Sequence, residues 1–102
     1  MWRSDESGSG TGWELRATAE LRARLPKLLR RLGVRIFLDA PCGDWNWMRI
    51  VDLPVDRYIG IDIVPAVIDD NQKRYGSDKV CFACLDLTTD PLPAADLVLC
   101  RA

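Results

Sequence analysis

The chain contains no histidine, so the side chain that most often moves protons near neutral pH is missing from any chemistry it performs. No apolar run approaches the ~20 residues that a membrane-crossing helix needs. The opening MWRSDESGSG also lacks the apolar core of a secretory signal. A cytoplasmic address without a membrane partner is expected. Net charge is close to zero, at -1, and neither sign prevails enough to indicate nucleic acid as a partner. Cysteine is limited to Cys42, Cys81, Cys84 and Cys100, which in a reducing compartment read as thiols in apolar surroundings. Cys81 and Cys84 form a C-x-x-C inside an apolar run with no turn between them. Side chains three apart on a strand point to opposite faces, so neither a metal site nor redox chemistry is expected.

What is present suffices for one small folded domain. The 102 residues are 48% hydrophobic and 28% charged, too apolar for a disordered tail. Residues 1–12, rich in Ser and Gly, read as a flexible arm. Residues 13–33 form a helical segment in which Leu21, Leu25, Leu28, Leu29 and Leu32 recur at spacings of three and four, with Arg and Lys between them. Pro26 predicts a kink there or two shorter helices, because proline lacks a donor and clashes with the preceding turn. Gly33 is the expected stop.

Residues 34–102 have a different texture. Four short apolar runs, VRIFLD, RYIGIDI, VCFACLDL and ADLVLC, alternate with Asp-rich connectors. They are nearly continuous in apolar residues, as strands buried on both faces of a parallel sheet are. A helical piece capped by Asp44 is expected from Trp45 to about Val51, and a second from Pro65 to Gly76. The connector TTDPLPAAD is too rich in proline for a helix. The fold class that follows is α/β, with about four parallel strands joined by right-handed crossovers.

Open parallel sheets bind ligands beyond the carboxyl ends of their strands. Here those ends carry Asp39, Asp62 and Asp86. Asp62 follows the Asp39–Gly43 loop by about twenty residues, the separation at which nucleotide-binding units set an acid against ribose hydroxyls. Ile63 and Val64 come next and offer an apolar wall for a purine, or else cover the start of the following helix. The loop itself discriminates among ligands. A pyrophosphate needs closely approaching backbone N–H groups and hence several glycines. Asp39, Ala40, Pro41, Cys42, Gly43, Asp44 supplies one glycine, a proline without a donor, and an acid that repels phosphate. Adenosine with a zwitterionic amino-acid tail suits it better, with Asp39 or Asp44 receiving the ammonium.

LDAPCGD resembles the first motif of class I S-adenosylmethionine-dependent methyltransferases, and IGIDIV is similar to their second. LDLTTDPLP followed by ADLVLC resembles their third and fourth strand region. The likeness runs from about Gly33 to Arg101 and implies a Rossmann-like sheet, part of a seven-stranded methyltransferase fold, with S-adenosylmethionine as cofactor. Carried over by position, Asp39 and Gly43 would line the methionine part, with Ala40, Pro41 and Cys42 as the loop between them. Asp62 would bind the ribose hydroxyls with Ile63 beside it, and Asp86 would meet the adenine amine next to Leu87. Pro41 and Trp45 stand where the family commonly has glycine. Trp45 and Trp47 either face the sulfonium as a cation–π partner or pack the core, and packing is the simpler role.

The resemblance implies transfer of a methyl group to an acceptor that the sequence does not identify. No catalytic base is nameable. Members of the family usually carry seven strands against four here, so the chain reads as a cofactor-binding part: a truncated sequence, a fragment, or a half that pairs with another chain, with the exposed edge of its fourth strand open to association. The alternative is a non-catalytic module that binds cofactor or a partner chain.

Overall fold

A computed structural model describes residue 16 and residues 18–100. The expected arm at 1–12 and the beginning of the expected helical segment lie outside the described residues. The described order is helix α1 (Ala19–Leu32), strand β1 (Ile36–Ala40), a 3-10 turn (Met48–Ile50), β2 (Arg57–Asp62), helix α2 (Pro65–Tyr75), β3 (Val80–Cys84) and β4 (Leu97–Cys100). The strands form one sheet in the order β3-β2-β1-β4, and every pairing is parallel. This is an α/β fold compatible with a Rossmann-like sheet, and its order reverses between β1 and β4.

α1 is one helix rather than two, with Pro26 inside it. Leu25 and Leu29, on either side of that proline, are both buried in the same core cluster, so packing holds the two turns in line where the ladder loses one bond. The helix ends in a Schellman motif: Gly33 at φ 66° donates its N–H to Arg30 O, and Val34 N–H reaches Leu29 O at 3.1 Å. Leu29 and Val34 meet in the core, which supplies the apolar contact usual for this cap.

The two faces of the sheet are covered differently. Phe37 and Tyr58 pack with Leu25 and Leu29 of α1, with Trp45, Trp47, Met48, Leu53 and Val55 of the β1–β2 connection, and with Tyr75 of α2. Leu38, Ala40, Ile59 and Ile61 point the other way and are packed by Leu85 and Ala95 from the β3–β4 connection. Chain direction explains the division. A right-handed crossover from β1 to β2 to β3 lays its connections on one face, and the return from β3 to β4 runs the opposite way and must cross the other.

Continuous apolarity promised strands buried on both faces, and β1 and β2 meet that promise. β3 is only partly buried and β4 alternates, because each is an edge with one neighbour. Cys84 and Cys100 are accordingly exposed, whereas Cys42 is buried, and all four cysteines are free thiols. The helical piece expected from Trp45 to Val51 shrinks to the 3-10 turn at Met48–Ile50. Asp44 does not cap a helix but closes an Asx turn, its Oδ1 accepting Asn46 N–H at 3.0 Å. The connector before β4 is a loop, as its prolines require. Among the described residues no helix is long and apolar enough to cross a membrane.

Candidate functional site

The site begins with what ends β1. Asp39 has no exposed surface, and its Oδ2 accepts the Tyr58 hydroxyl at 2.7 Å. Burial first, and then the charge of Asp39, push the Tyr58 phenol well above its ordinary range. The hydroxyl therefore stays protonated and donates. Asp39 is thus enclosed by the core beneath the loop.

After Asp39 the chain passes Ala40, buried on the second face, and a cis peptide into Pro41. Cys42 N–H then returns to β2 by donating to Ile61 O at 2.8 Å. Gly43, at φ 61°, is held on both sides. Its N–H donates to Asp62 Oδ2 at 3.1 Å, and its carbonyl accepts Asn71 Nδ2 at 2.7 Å.

Trp45 follows in the same left-handed region, at φ 66°, a conformation that costs about 1–2 kcal/mol for a residue with a Cβ. Its ring packs against Tyr58, Tyr75 and Phe82 with centroids 5.0–5.4 Å apart, and both it and Trp47 are buried in the first-face core. Packing against the core is thus their role here. The aromatic cluster offsets the backbone cost where the family likeness would put glycine.

Asp62 closes β2 and is the hinge of the site. Its Oδ1 accepts Val64 N–H at 3.1 Å while Oδ2 holds Gly43. A carboxylate offers about four acceptor positions, so about two remain. Immediately beyond, Ile63 is 61% exposed and Leu87 40%, large apolar surfaces that the fold leaves uncovered. Pro41, Ile61, Asp62, Ile63, Leu85, Asp86 and Leu87 together line a cleft of about 160 Å³ at the carboxyl ends of β1, β2 and β3. Of the residues that the sequence marks out, Pro41, Asp62, Ile63, Asp86 and Leu87 meet there. Asp39, Ala40, Cys42 and Gly43 do not line it: Asp39 faces Tyr58, Ala40 is buried beneath the sheet surface, and Cys42 and Gly43 are tied to β2 and α2 by their backbone.

No protein-family model matches the chain, and no curated protein matches it.

Asp86 lies two residues past β3 and is engaged locally. Its Oδ1 accepts the Thr88 N–H at 2.9 Å and the Thr88 hydroxyl at 2.6 Å. Those bonds hold its carboxyl below the usual range. Its own N–H is held by Asp90 Oδ2 at 2.7 Å, which fixes the loop that presents Leu87.

Two roomier depressions of about 420 Å³ lie elsewhere, one at the opposite strand ends among Arg35, Ile36, Asp56, Arg57 and Asp96, the other along α1 among Arg24, Lys27, Leu28 and Arg31. Neither sets a carboxylate against an apolar wall at the carboxyl ends of the sheet, so size does not decide the site. Among the described residues no group of three or more acidic, cysteine or histidine side chains is arranged to hold a metal ion.

Sequence reasoning missed two residues. Tyr58 reads as an ordinary strand aromatic, and only its hydroxyl, placed against Asp39, gives it a polar task. Asn71 carries a fainter signal: a polar residue at the three- and four-residue spacing that joins Ile68 to Tyr75 on the inner side of α2.

Proposed function

We propose that the chain is the cofactor-binding part of a class I S-adenosylmethionine-dependent methyltransferase that transfers a methyl group to an acceptor still to be identified. The observation that carries this reading is the cleft in which Asp62 stands between the exposed side chains of Ile63 and Leu87. A carboxylate with spare acceptor positions matches the two donors of a ribose diol, and flat apolar walls beside it match a purine. At about 160 Å³ the cleft is smaller than the ~300–1,000 Å³ that encloses a whole drug-sized ligand. It fits the adenosine end, with the remainder lying along the Pro41–Asp44 loop. There Asp44 is the exposed carboxylate and Asp39 the buried one, so the ammonium of the tail falls to Asp44.

The bound cofactor would supply a methyl group on a sulfonium, already primed for in-line displacement. The task of this chain is then to bind and orient. Asp62 fixes the sugar, Ile63 and Leu87 exclude water from the base, and the gripped Gly43 peptide sets the height of the loop. Among the described residues β4 bonds only to β1, and its other edge is the surface through which the proposed association would occur.

Isothermal titration with S-adenosylhomocysteine and, separately, with NAD tests the reading. Saturable binding of the first and none of the second is expected. No heat with S-adenosylhomocysteine, or binding of NAD alone, overturns it. Methyl transfer to components of a cell extract then distinguishes an enzyme from a module that only binds.

A further inference from the structure

We infer that Asn71 is a positioning residue for the tail-binding half of the cleft, setting the Pro41–Gly43 loop from the buried face of α2; the inference rests on the cofactor reading above. Asn71 is 1% exposed and lies on the face of α2 that also buries Ile68. Its Nδ2 donates to Gly43 O at 2.7 Å, with a longer contact to Cys42 Sγ at 3.9 Å. Its Oδ1 is buried and has no hydrogen-bond partner among the described residues.

That asymmetry is informative. A buried acceptor without a partner costs stability, and a leucine, with the same branching pattern, would leave no such acceptor. The amide is useful there through its donor alone, and the donor's target is the loop. The loop needs such a hold. Gly43 is in the left-handed region, and the side where a Cβ would stand is open, with nothing within 4 Å, so no contact on that side holds the loop. Asp62 grips the N–H of the peptide unit entering Gly43 and Asn71 grips the carbonyl of the one leaving it. The two grips serve different parts of a ligand. Asp62 also stands in the cleft beside the base and sugar, whereas Asn71 does not line it and acts only through the loop that meets the tail.

Asn71→Leu therefore separates two ligands that share adenosine. S-adenosylhomocysteine carries the amino-acid tail, and 5′-methylthioadenosine does not. The variant gives up the bond to Gly43 O together with the unpaired acceptor, so it is expected to melt close to wild type and to bind S-adenosylhomocysteine about tenfold more weakly, the scale of one lost hydrogen bond. Its affinity for 5′-methylthioadenosine should stay within about twofold. The Asp44 amide nitrogen, bonded to the Gly43 carbonyl carbon, should shift in the 15N spectrum of the ligand-free variant. If Asn71→Leu does not fold, Asn71→Ala is measured in the same way. Equal weakening of both ligands, or of neither, overturns the positioning role while the cofactor reading stands. Failure of wild type to bind either ligand instead overturns the cofactor reading, and this inference with it.

Discussion

The two rims of the sheet use the same device and finish it differently. At the carboxyl rim Asp62 accepts the backbone N–H groups of Gly43 and Val64. At the amino rim Asp96 Oδ2 accepts those of Arg35 and Ile36, each at 2.9 Å. Each carboxylate ties one strand to a neighbouring segment. Around Asp96 the structure adds charge: Arg35 Nε pairs with Asp56 at 2.9 Å, and Arg57 lines the same groove. Around Asp62 it adds exposed apolar surface. A carboxylate among cations has its charge answered by the fold, whereas one between Ile63 and Leu87 keeps acceptor capacity facing a surface that water wets poorly. The contrast is why the proposed ligand site falls at the carboxyl rim and not at the amino rim.

The contrast breaks most severely if the carboxyl rim proves independent of the core. Trp45 anchors the rim loop in the aromatic cluster, so Trp45→Ala should destabilise the protein by about 3–5 kcal/mol, measured by urea denaturation. A loss under about 1 kcal/mol would mean that the loop is not anchored there. A sharper comparison sets Asp62→Ala beside Asp96→Ala. The first should weaken S-adenosylhomocysteine by about 1–3 kcal/mol, the scale of charged hydrogen bonds lost, and lower the melting temperature. The second should lower the melting temperature and leave that affinity unchanged. Equal effects of both on binding would erase the distinction between the rims.

The smallest effect is acid dependence at the amino rim. The N–H groups of Ile36 and then Arg35 hold the Asp96 carboxyl below its ordinary range. A depressed folded value means that this contribution is complete above the unfolded value and fades as pH falls through the folded one, below about pH 4. Asp96→Asn should therefore melt lower than wild type at neutral pH and converge with it in acid. A gap that persists in acid would assign the difference to packing.

Much of this was legible in the sequence, and the misses have physical causes. All four strands appear where apolar runs predicted them, because burial in the middle of a parallel sheet demands such runs. Edges need them less, which is why VCFACLDL reads as a longer strand than Val80–Cys84. Pro26 reads as a break, but the burial of Leu25 and Leu29 overrides a local penalty. Trp45 reads as a helix start, yet its left-handed backbone is set by contacts with Tyr58, Tyr75 and Phe82 far along the chain. In the site, Asp62 was legible because strand-end acids are local features. The partnership of Asn71 with Gly43 spans 28 positions, and no spacing rule reaches that far. Asp39 shows the same limit: its place in the chain is plain, but the Tyr58 hydroxyl that encloses it is known only from the fold.

The double bond-acceptance of Asp62 has a consequence for affinity. A side chain that swings freely before a ligand arrives must surrender that freedom on binding, at about 0.5–1.5 kcal/mol for each flexible group immobilised. Asp62 surrendered it when the chain folded, since the amides of Gly43 and Val64 fix both its oxygens. A diol reaching the cleft meets a carboxylate already aimed, and the entropic cost of aiming it has been charged to folding instead of to recognition.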